Sequence, residues 1–230
     1  MLQNTITLGG ADTERLYLKD LYFISPLDRP VEVTATDIPD IDMKEVIALH
    51  VGRYFALGPF CQPGCRVLDF PCGSGYGAEI LKPFGVFYEG LEYDPLAVEY
   101  ARQIYGSDTV EFRSGNLRAV HLEQSSYDVI ACMNGLEYIE RDWHSLLLSR
   151  LKRALKPGGV LIINSPANAL GLCGVGRPDP FRIGEITHTR FTSLLRQHFF
   201  RDNIEYVTRP NLQLGPYARE CLYAVCHKYV

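Results

Sequence analysis

The 230-residue sequence lacks the features that mark membrane, exported and nucleic-acid-binding proteins. No run approaches the 18 apolar residues of a membrane span, and the first residues lack the basic start and apolar core of a signal peptide. Its 27 acidic residues outnumber its 23 lysines and arginines, so the net charge of -4 provides no basic surface for a phosphate backbone. We therefore expect a cytoplasmic protein with no membrane span and no nucleic-acid partner.

The cysteines form neither a metal-ligand pattern nor a disulfide framework. There are seven of them, with no CxxC pair, and Cys61-x-x-x-Cys65 has no second ligand pair. An odd number of scattered thiols is typical of a reducing compartment. No internal repeat or low-complexity tract occurs. The sequence thus predicts no metal site, and its length and 47% apolar content indicate one α/β domain.

One stretch predicts a strand, a glycine turn and a helix in direct succession. Residues 67–70 form a short β-type run, Gly73 and Gly75 follow, and residues 78–82 form a helix that Pro83 ends. A glycine has no Cβ atom to keep a ligand off the backbone, and we expect the first helix amides to point at the ligand's polar groups. This is the pattern of a nucleotide-binding βαβ unit.

Two acidic residues indicate which nucleotide would bind. Glu92 ends a second predicted strand, 23 residues after Asp69, where a carboxylate can accept from both hydroxyls of a ribose. Residues 73–78 also fit the dinucleotide pattern G-x-G-x-x-A. The charge of Asp69, just ahead of the turn, would repel a pyrophosphate but attract a sulfonium or ammonium cation. S-adenosylmethionine is therefore favoured, a nicotinamide oxidoreductase is the alternative, and a simple capping role is the alternative for Asp69.

Five segments in order resemble the motifs of class I S-adenosylmethionine-dependent methyltransferases. They lie within residues 66–166 and read DFPCGSG at 69–75, GLEYDP at 90–95, FRSGN at 112–116, YDVI at 127–130 and LKPGG at 155–159. Residues 50–54 and 75–77 are also similar to a subgroup found in bacterial glycan and O-antigen gene sets. In relatives with a similar Arg53-Tyr54 pair, these residues border the methionine end of the cofactor; for Tyr54, a plain core position is the alternative.

The resemblance implies a Rossmann-like α/β fold: a doubly wound, seven-stranded sheet, mostly parallel, with an antiparallel last strand. It implies S-adenosylmethionine as cofactor and S-adenosylhomocysteine as product. The implied reaction is in-line methyl transfer to a small-molecule or saccharide acceptor, with oxygen as the expected atom. The residues that the motifs place at the cofactor are Asp69, Pro71, Cys72, Gly73, Gly75, Glu92, Tyr93, Asn116, Leu117 and Asn134.

Several positions depart from the family pattern. Pro71 replaces a motif glycine and can donate no amide hydrogen bond. Asn116 stands where the family has an aspartate that accepts from the adenine amino group. The side-chain carbonyl oxygen of Asn116 can still accept this hydrogen bond. Asn134 and Tyr138 replace two ligands of the E-x-x-E-H metal motif of ubiquinone-pathway O-methyltransferases, which again predicts no metal. These departures leave a third alternative, a scaffold that binds the cofactor, or nothing, without catalysis.

The remaining segments are assigned to the acceptor side. We interpret residues 1–41 as an arm or cap, with an unstructured terminus as the alternative, and residues 42–230 as the methyltransferase domain, opened by a helix with a capping box at Asp42 and Glu45. Residues 165–190 are predicted to form an acceptor lid. A helix is predicted from the N-cap Asp94 to Tyr105, closed by Gly106, and another begins at Thr192.

A hydroxyl acceptor benefits from a base that removes its proton, and histidine is suited to this near neutral pH. His188, in the predicted lid, is the first candidate, and His144 is the second. Surface or capping roles are the alternatives for both. Tyr138 could instead orient the acceptor, with plain packing as its alternative.

Overall fold

The computed structural model describes residues 52–116, 121–166, 183–184, 186–206 and 221–229, and the backbone of four short N-terminal segments. These segments form two small antiparallel pairs, Ile6–Leu8 with Glu14–Leu16 and Leu18–Lys19 with Tyr22–Phe23. No strand was predicted there. That residues 1–41 cover the acceptor side stays a prediction. The predicted capping box at Asp42 and Glu45 lies outside the described residues.

A seven-stranded sheet forms the centre of the molecule. Its strands are β1 Arg66–Asp69, β2 Phe87–Glu92, β3 Val110–Ser114, β4 Tyr127–Met133, β5 Leu155–Pro166, β6 Ile204–Tyr206 and β7 Cys221–His227. The order across the sheet is β6-β7-β5-β4-β1-β2-β3. Strands β1 to β5 pair in parallel, while β7 is antiparallel to both β5 and β6. The predicted mostly parallel sheet with an antiparallel last strand is confirmed.

Helices cover both faces of this sheet. The α-helices are α1 Gly77–Leu81, α2 Pro95–Tyr105, α3 His144–Ala154 and α4 His188–His198, and residues 52–55 are also helical. Short 3-10 turns occur at Gly58–Phe60, Lys82–Phe84, Leu136–Tyr138, Arg141–Trp143 and Arg201–Asn203. One apolar core lies between the sheet and α1 and α2, and a second lies between the sheet and α3 and α4. The fold is therefore doubly wound, as predicted.

The N-terminus of α2 is capped as predicted, but the C-terminus is not. Asp94 is the N-cap, and its Oδ1 accepts from the Leu96 amide at 2.9 Å. Gly106 follows the helix but has a φ of -58°, so no left-handed cap forms. A Cβ atom at this position would lie 2.4 Å from the Arg102 carbonyl oxygen. Glycine is needed here for space, because the chain turns closely past the helix end.

The predicted start of α4 at Thr192 is wrong. Thr187 is the N-cap: its extended backbone lets its hydroxyl accept from the Arg190 amide at 3.2 Å. His188 is consequently the first residue of a helix rather than part of a loop. The other predicted lid residues lie largely outside the described residues.

Candidate functional site

The glycine turn lies at the carboxyl edge of the sheet, between two neighbouring strands. The Phe70 amide donates to the Ala131 carbonyl of β4 at 2.9 Å, and the Cys72 amide donates to the Leu91 carbonyl of β2 at 3.1 Å. The turn is thus anchored on both sides of β1. In a parallel sheet this edge is where ligands bind.

The two motif glycines serve different purposes. Both have a positive φ, +57° at Gly73 and +84° at Gly75. A Cβ atom at Gly75 would lie 2.6 Å from both Ala101 Cβ and a Phe112 ring carbon, so this glycine admits the packing of α2 and β3. At Gly73 a Cβ atom would meet nothing within 4 Å. Gly73 therefore borders an open space from which a ligand can approach the backbone.

Two amides at the start of the helix after the turn form hydrogen bonds within this segment instead of pointing at a ligand. The Ala78 amide donates to the Gly75 carbonyl and the Glu79 amide to the Tyr76 carbonyl, both at 3.1 Å. For these two amides, the expectation that they point at a ligand is wrong, because the turn winds directly into α1 and uses them itself.

Glu92 lies at the predicted position and also holds the turn. Its Oε2 accepts from the Gly73 amide at 3.0 Å, and its Oε1 accepts from the amides of Tyr93 and Asp94 at 2.8 and 3.2 Å. The side chain is only 4% exposed. Glu92, at the end of β2, therefore holds the Gly73 amide beside the open space.

Asp69 is fully buried beneath the turn. Its Oδ2 accepts from the hydroxyls of Tyr54 and Tyr88 at 2.7 and 2.5 Å, while Oδ1 has no hydrogen-bond partner among the described residues. Burial raises the pKa of Asp69 to about 7, opposed by the two tyrosine hydrogen bonds and aided by the nearby charge of Glu92. Its partners are tyrosines rather than helix amides, so the simple capping role does not apply. Tyr54 is both a core residue and a partner of this acid.

A buried cation lies beside the same edge. Arg53 is 6% exposed, and its Nε has no hydrogen-bond partner among the described residues. No described carboxylate forms an ion pair with it. Because burying a charge is costly unless it is paired, this guanidinium favours the binding of an anionic group.

The neighbour of Arg53 is Asn134, which follows β4 with a φ of +50°. The Asn134 side-chain oxygen can face Asn164 Nδ2 at 2.9 Å, or it can face Nη1 and Nη2 of Arg53 at 3.0 and 3.2 Å. In the second orientation the bond from the guanidinium is charge-assisted, but Asn134 Nδ2 then faces Asn164 Nδ2, another donor, at 2.9 Å. One side-chain oxygen cannot serve both donors at once. The Asn134 backbone amide is fixed separately, by Asn164 Oδ1 at 2.9 Å.

Comparisons with known proteins agree with this geometry. A family profile described as a methyltransferase domain matches residues 67–159. A probable S-adenosylmethionine-dependent methyltransferase from Mycolicibacterium smegmatis is 33% identical over 148 residues, which cover 64% of this chain and 55% of the relative. A ubiquinone biosynthesis O-methyltransferase from Xanthomonas campestris is 30% identical over 106 residues, 45% of this chain and 44% of the relative. The chain thus spans about half the length of the curated relatives it matches.

A solved structure shows the same fold. It is the 1,6-didemethyltoxoflavin-N1-methyltransferase of Burkholderia thailandensis with bound 1,6-didemethyltoxoflavin and S-adenosylhomocysteine, which is 17% identical and has a TM-score of 0.62. The superposition covers 80% of this chain and 79% of that one. Residues 67–159 therefore match the methyltransferase domain profile, and the chain has the fold of this methyltransferase.

Within residues 67–159, which match the methyltransferase profile, the other predicted cofactor residues lie in different environments. Pro71 follows a cis peptide bond and packs closely against Gly135, while Cys72 is buried towards β2. Tyr93 is 67% exposed beside Glu92. Asn116 is exposed two residues after β3, and its neighbour Gly115 donates to the Glu92 carbonyl at 2.9 Å. Leu117 lies outside the described residues.

The two candidate histidines differ sharply. His188 is exposed at the first position of α4. His144 is fully buried, and its Nε2 lies 2.9 Å from the Leu136 carbonyl oxygen and 2.8 Å from that of Ile139. Burial lowers the pKa of His144; its hydrogen bonds to the Ile139 and Leu136 carbonyls oppose this, and the charges of Arg190 and Arg141 add to it. Nε2 of this ring is hydrogen-bonded to the turn after β4, which argues against a role for His144 as a base.

Sequence reasoning missed three residues of the site. Tyr88 reads as an ordinary strand residue, yet its hydroxyl bonds Asp69. Asn164 could have been found, because a polar residue at the end of a buried strand is unusual. Glu137 is fully buried, and its Oε2 accepts from the Ser165 hydroxyl at 3.4 Å.

The described residues contain no group of three or more metal-ligating side chains that could hold an ion. Over the same ranges, no helix has both the length and the apolar character needed to cross a bilayer.

Proposed function

We propose that this methyltransferase binds S-adenosylmethionine across the turn at residues 71–76 and transfers its methyl group to an oxygen of a small-molecule or saccharide acceptor. The observation that carries the proposal is the open space at Gly73 beside the buried Glu92 carboxylate, together with the buried Arg53 guanidinium beside Asn134 at the end of β4. A nucleoside with a zwitterionic tail suits this combination, since it carries a diol, a carboxylate and cationic groups.

Each part of the cofactor has a matching group in the chain. Glu92 would accept from the ribose hydroxyls beside the Gly73 amide that it already holds. Tyr93 and Asn116, both exposed, would contact the adenine. Arg53 would bind the methionine carboxylate, which supplies the anionic partner that the described residues do not.

Bound S-adenosylmethionine supplies a methyl group that its positively charged sulfur has already activated. The chain's part is to hold and orient the reactants, because alignment alone can contribute several kcal/mol. The buried Asp69 carboxylate, when ionised, favours a cation over an uncharged sulfur. His188, an exposed residue at the start of α4, would accept the proton of the acceptor hydroxyl.

The acceptor proposal rests on the net charge and on the names of similar proteins. The net charge of -4 disfavours a polyanionic acceptor, and the Xanthomonas campestris relative is named as an O-methyltransferase. The solved neighbour carries a bound small molecule, although that protein is named as an N-methyltransferase. The saccharide class is favoured by the resemblance at residues 50–54 and 75–77.

Calorimetric binding of S-adenosylmethionine and S-adenosylhomocysteine to the purified chain tests the cofactor, with NAD as the control ligand. Gly73→Ala is expected to weaken both adenosyl ligands by roughly tenfold or more, because its methyl group would enter the open space. Gly158→Ala is the matched control: Gly158 has a φ of +79° and equally open surroundings, but lies at the opposite edge of the sheet. Equal effects of the two variants would contradict the cofactor site. Binding of NAD alone would restore the oxidoreductase alternative, and binding of none would favour a scaffold.

The acceptor and the base are tested by release of S-adenosylhomocysteine from a panel of sugars, phenols and amines. His188→Ala is expected to lower turnover without changing cofactor affinity, and His121→Ala, at another exposed position, is expected to change neither. Unchanged turnover in His188→Ala would remove this residue from the mechanism. Methylation of amines alone would overturn the choice of oxygen.

A further inference from the structure

The buried ring of His144 holds two carbonyl groups of one turn. The turn Leu136–Tyr138 ends at Ile139, and His144 Nε2 lies within 2.9 Å of both the Leu136 and the Ile139 carbonyl oxygens. Two acceptors at one nitrogen require that Nε2 carries the hydrogen. The other nitrogen, Nδ1, is buried and has no hydrogen-bond partner among the described residues. The ring therefore acts as a donor to the turn.

Gly184 packs directly onto the carbonyls that His144 holds. Its amide donates to the Glu137 carbonyl at 2.8 Å. A Cβ atom at Gly184 would lie 1.8 Å from the Ile139 oxygen, 2.5 Å from the Leu136 oxygen and 2.9 Å from His144 Nε2. Any displacement of these carbonyls would therefore change the packing and the position of the backbone at Gly184.

The same turn also contacts the end of β5 and follows the edge residue Asn134. Ser165, near the end of β5, donates to Glu137 Oε2 at 3.4 Å, and both side chains are fully buried. The turn begins two residues after Asn134, whose amide lies beside Arg53. One short turn thus joins β4, β5 and the segment that leads into α4.

We infer that His144 is a positioning residue: it donates from Nε2 to the Leu136 and Ile139 carbonyls, and so holds Gly184 and the chain after Asn134 in place at the carboxyl edge of the sheet. This assigns to His144 a role other than that of a proton acceptor. Its consequence for turnover rests on the proposed methyl transfer, whereas its consequence for Gly184 does not.

Hydrogen exchange of the full chain tests the structural part. His144→Leu removes the donor, whereas His144→Gln retains an amide group that can donate two hydrogens to the same carbonyls. We expect the Gly184 amide to exchange on the order of tenfold faster or more in His144→Leu, and to stay within about threefold of wild type in His144→Gln. Exchange in the centre of β4 serves as the reference for global stability. Equal exchange at Gly184 in all three proteins, or equal acceleration at Gly184 and in β4, would overturn the inference.

Kinetics test the functional part. With the acceptor identified by the screen, we expect His144→Leu to raise the acceptor KM at least about fivefold while the affinity for S-adenosylhomocysteine stays unchanged, and His144→Gln to restore the KM. A base would behave differently, because glutamine cannot accept a proton and turnover would then stay low in both variants. That result, or a parallel loss of S-adenosylhomocysteine affinity, would overturn the positioning role. Failure of wild type to bind any adenosyl ligand would refute the proposed function, while the exchange experiment would still decide the role of His144 at Gly184.

Discussion

The substitution Asp69→Asn separates the effect of a buried charge on stability from its effect on the cofactor. Burial raises the pKa of Asp69 from 3.8 to about 7 in the folded protein. Between these values the folded state holds a proton that the unfolded state has released. The resulting contribution to stability is therefore full below pH 3.8 and is lost as the pH rises through 7.

The size of the effect follows from this difference in pKa. A difference of about three units corresponds to about 4 kcal/mol over the whole range, of which about 2 to 3 kcal/mol falls between pH 5 and pH 8.5. Asparagine retains an oxygen that can accept from Tyr54 and Tyr88, but it does not ionise. We expect wild type to lose about 2 to 3 kcal/mol of stability relative to Asp69→Asn over this pH interval.

Urea unfolding at several pH values between 5 and 8.5 measures this difference. Asp108→Asn is the control, because Asp108 is exposed in the turn before β3 and its replacement removes a carboxylate without burial. A difference between wild type and Asp69→Asn that stays constant with pH would refute the raised pKa. If Asp69 favours the cationic sulfur, its replacement should also weaken S-adenosylmethionine more than S-adenosylhomocysteine.

Three further substitutions test other parts of the site. Gly75→Ala should destabilise the fold by about 1 to 3 kcal/mol, measured by thermal unfolding, because its methyl group would clash with α2 and β3; a smaller loss than in Gly73→Ala would contradict this. Glu92→Ala should weaken the cofactor and also destabilise the protein by about 2 to 3 kcal/mol, since three amides lose their acceptor; unchanged cofactor affinity in calorimetry would remove ribose recognition from Glu92. Asn134→Asp should stabilise the apo protein by about 1 kcal/mol, because a carboxylate can serve Arg53 and Asn164 together, and should weaken the cofactor by neutralising Arg53; a gain in cofactor affinity would contradict it.

The sheet and its glycine turn could be predicted because their signals are local. The short apolar run before Gly73 and the acid at the end of β2 lie within one βαβ unit. The Asp94-Pro95 pair fixes the start of α2 through contacts with its nearest neighbours along the chain. The start of α4 was misplaced because two threonines, Thr187 and Thr192, offer the same local capping chemistry.

Roles that depend on distant segments could not be read in this way. Asp69 accepts hydrogen bonds from tyrosines that lie 15 and 19 residues away in sequence, and its burial raises its pKa. His144 matched the chemistry of a base, but the turn after β4 occupies its nitrogen. Nothing in the sequence near Arg53 indicates that its neighbour is an asparagine rather than a carboxylate.

The sequence by itself determined the order of the strands and helices and the position of the glycine turn, because backbone conformation and capping depend on adjacent residues. Only the tertiary structure decided which polar groups are buried, which ones share a partner and which glycine borders open space. Those properties arise when segments remote along the chain pack together and exclude water, since burial and partner choice then determine charge state and hydrogen bonding.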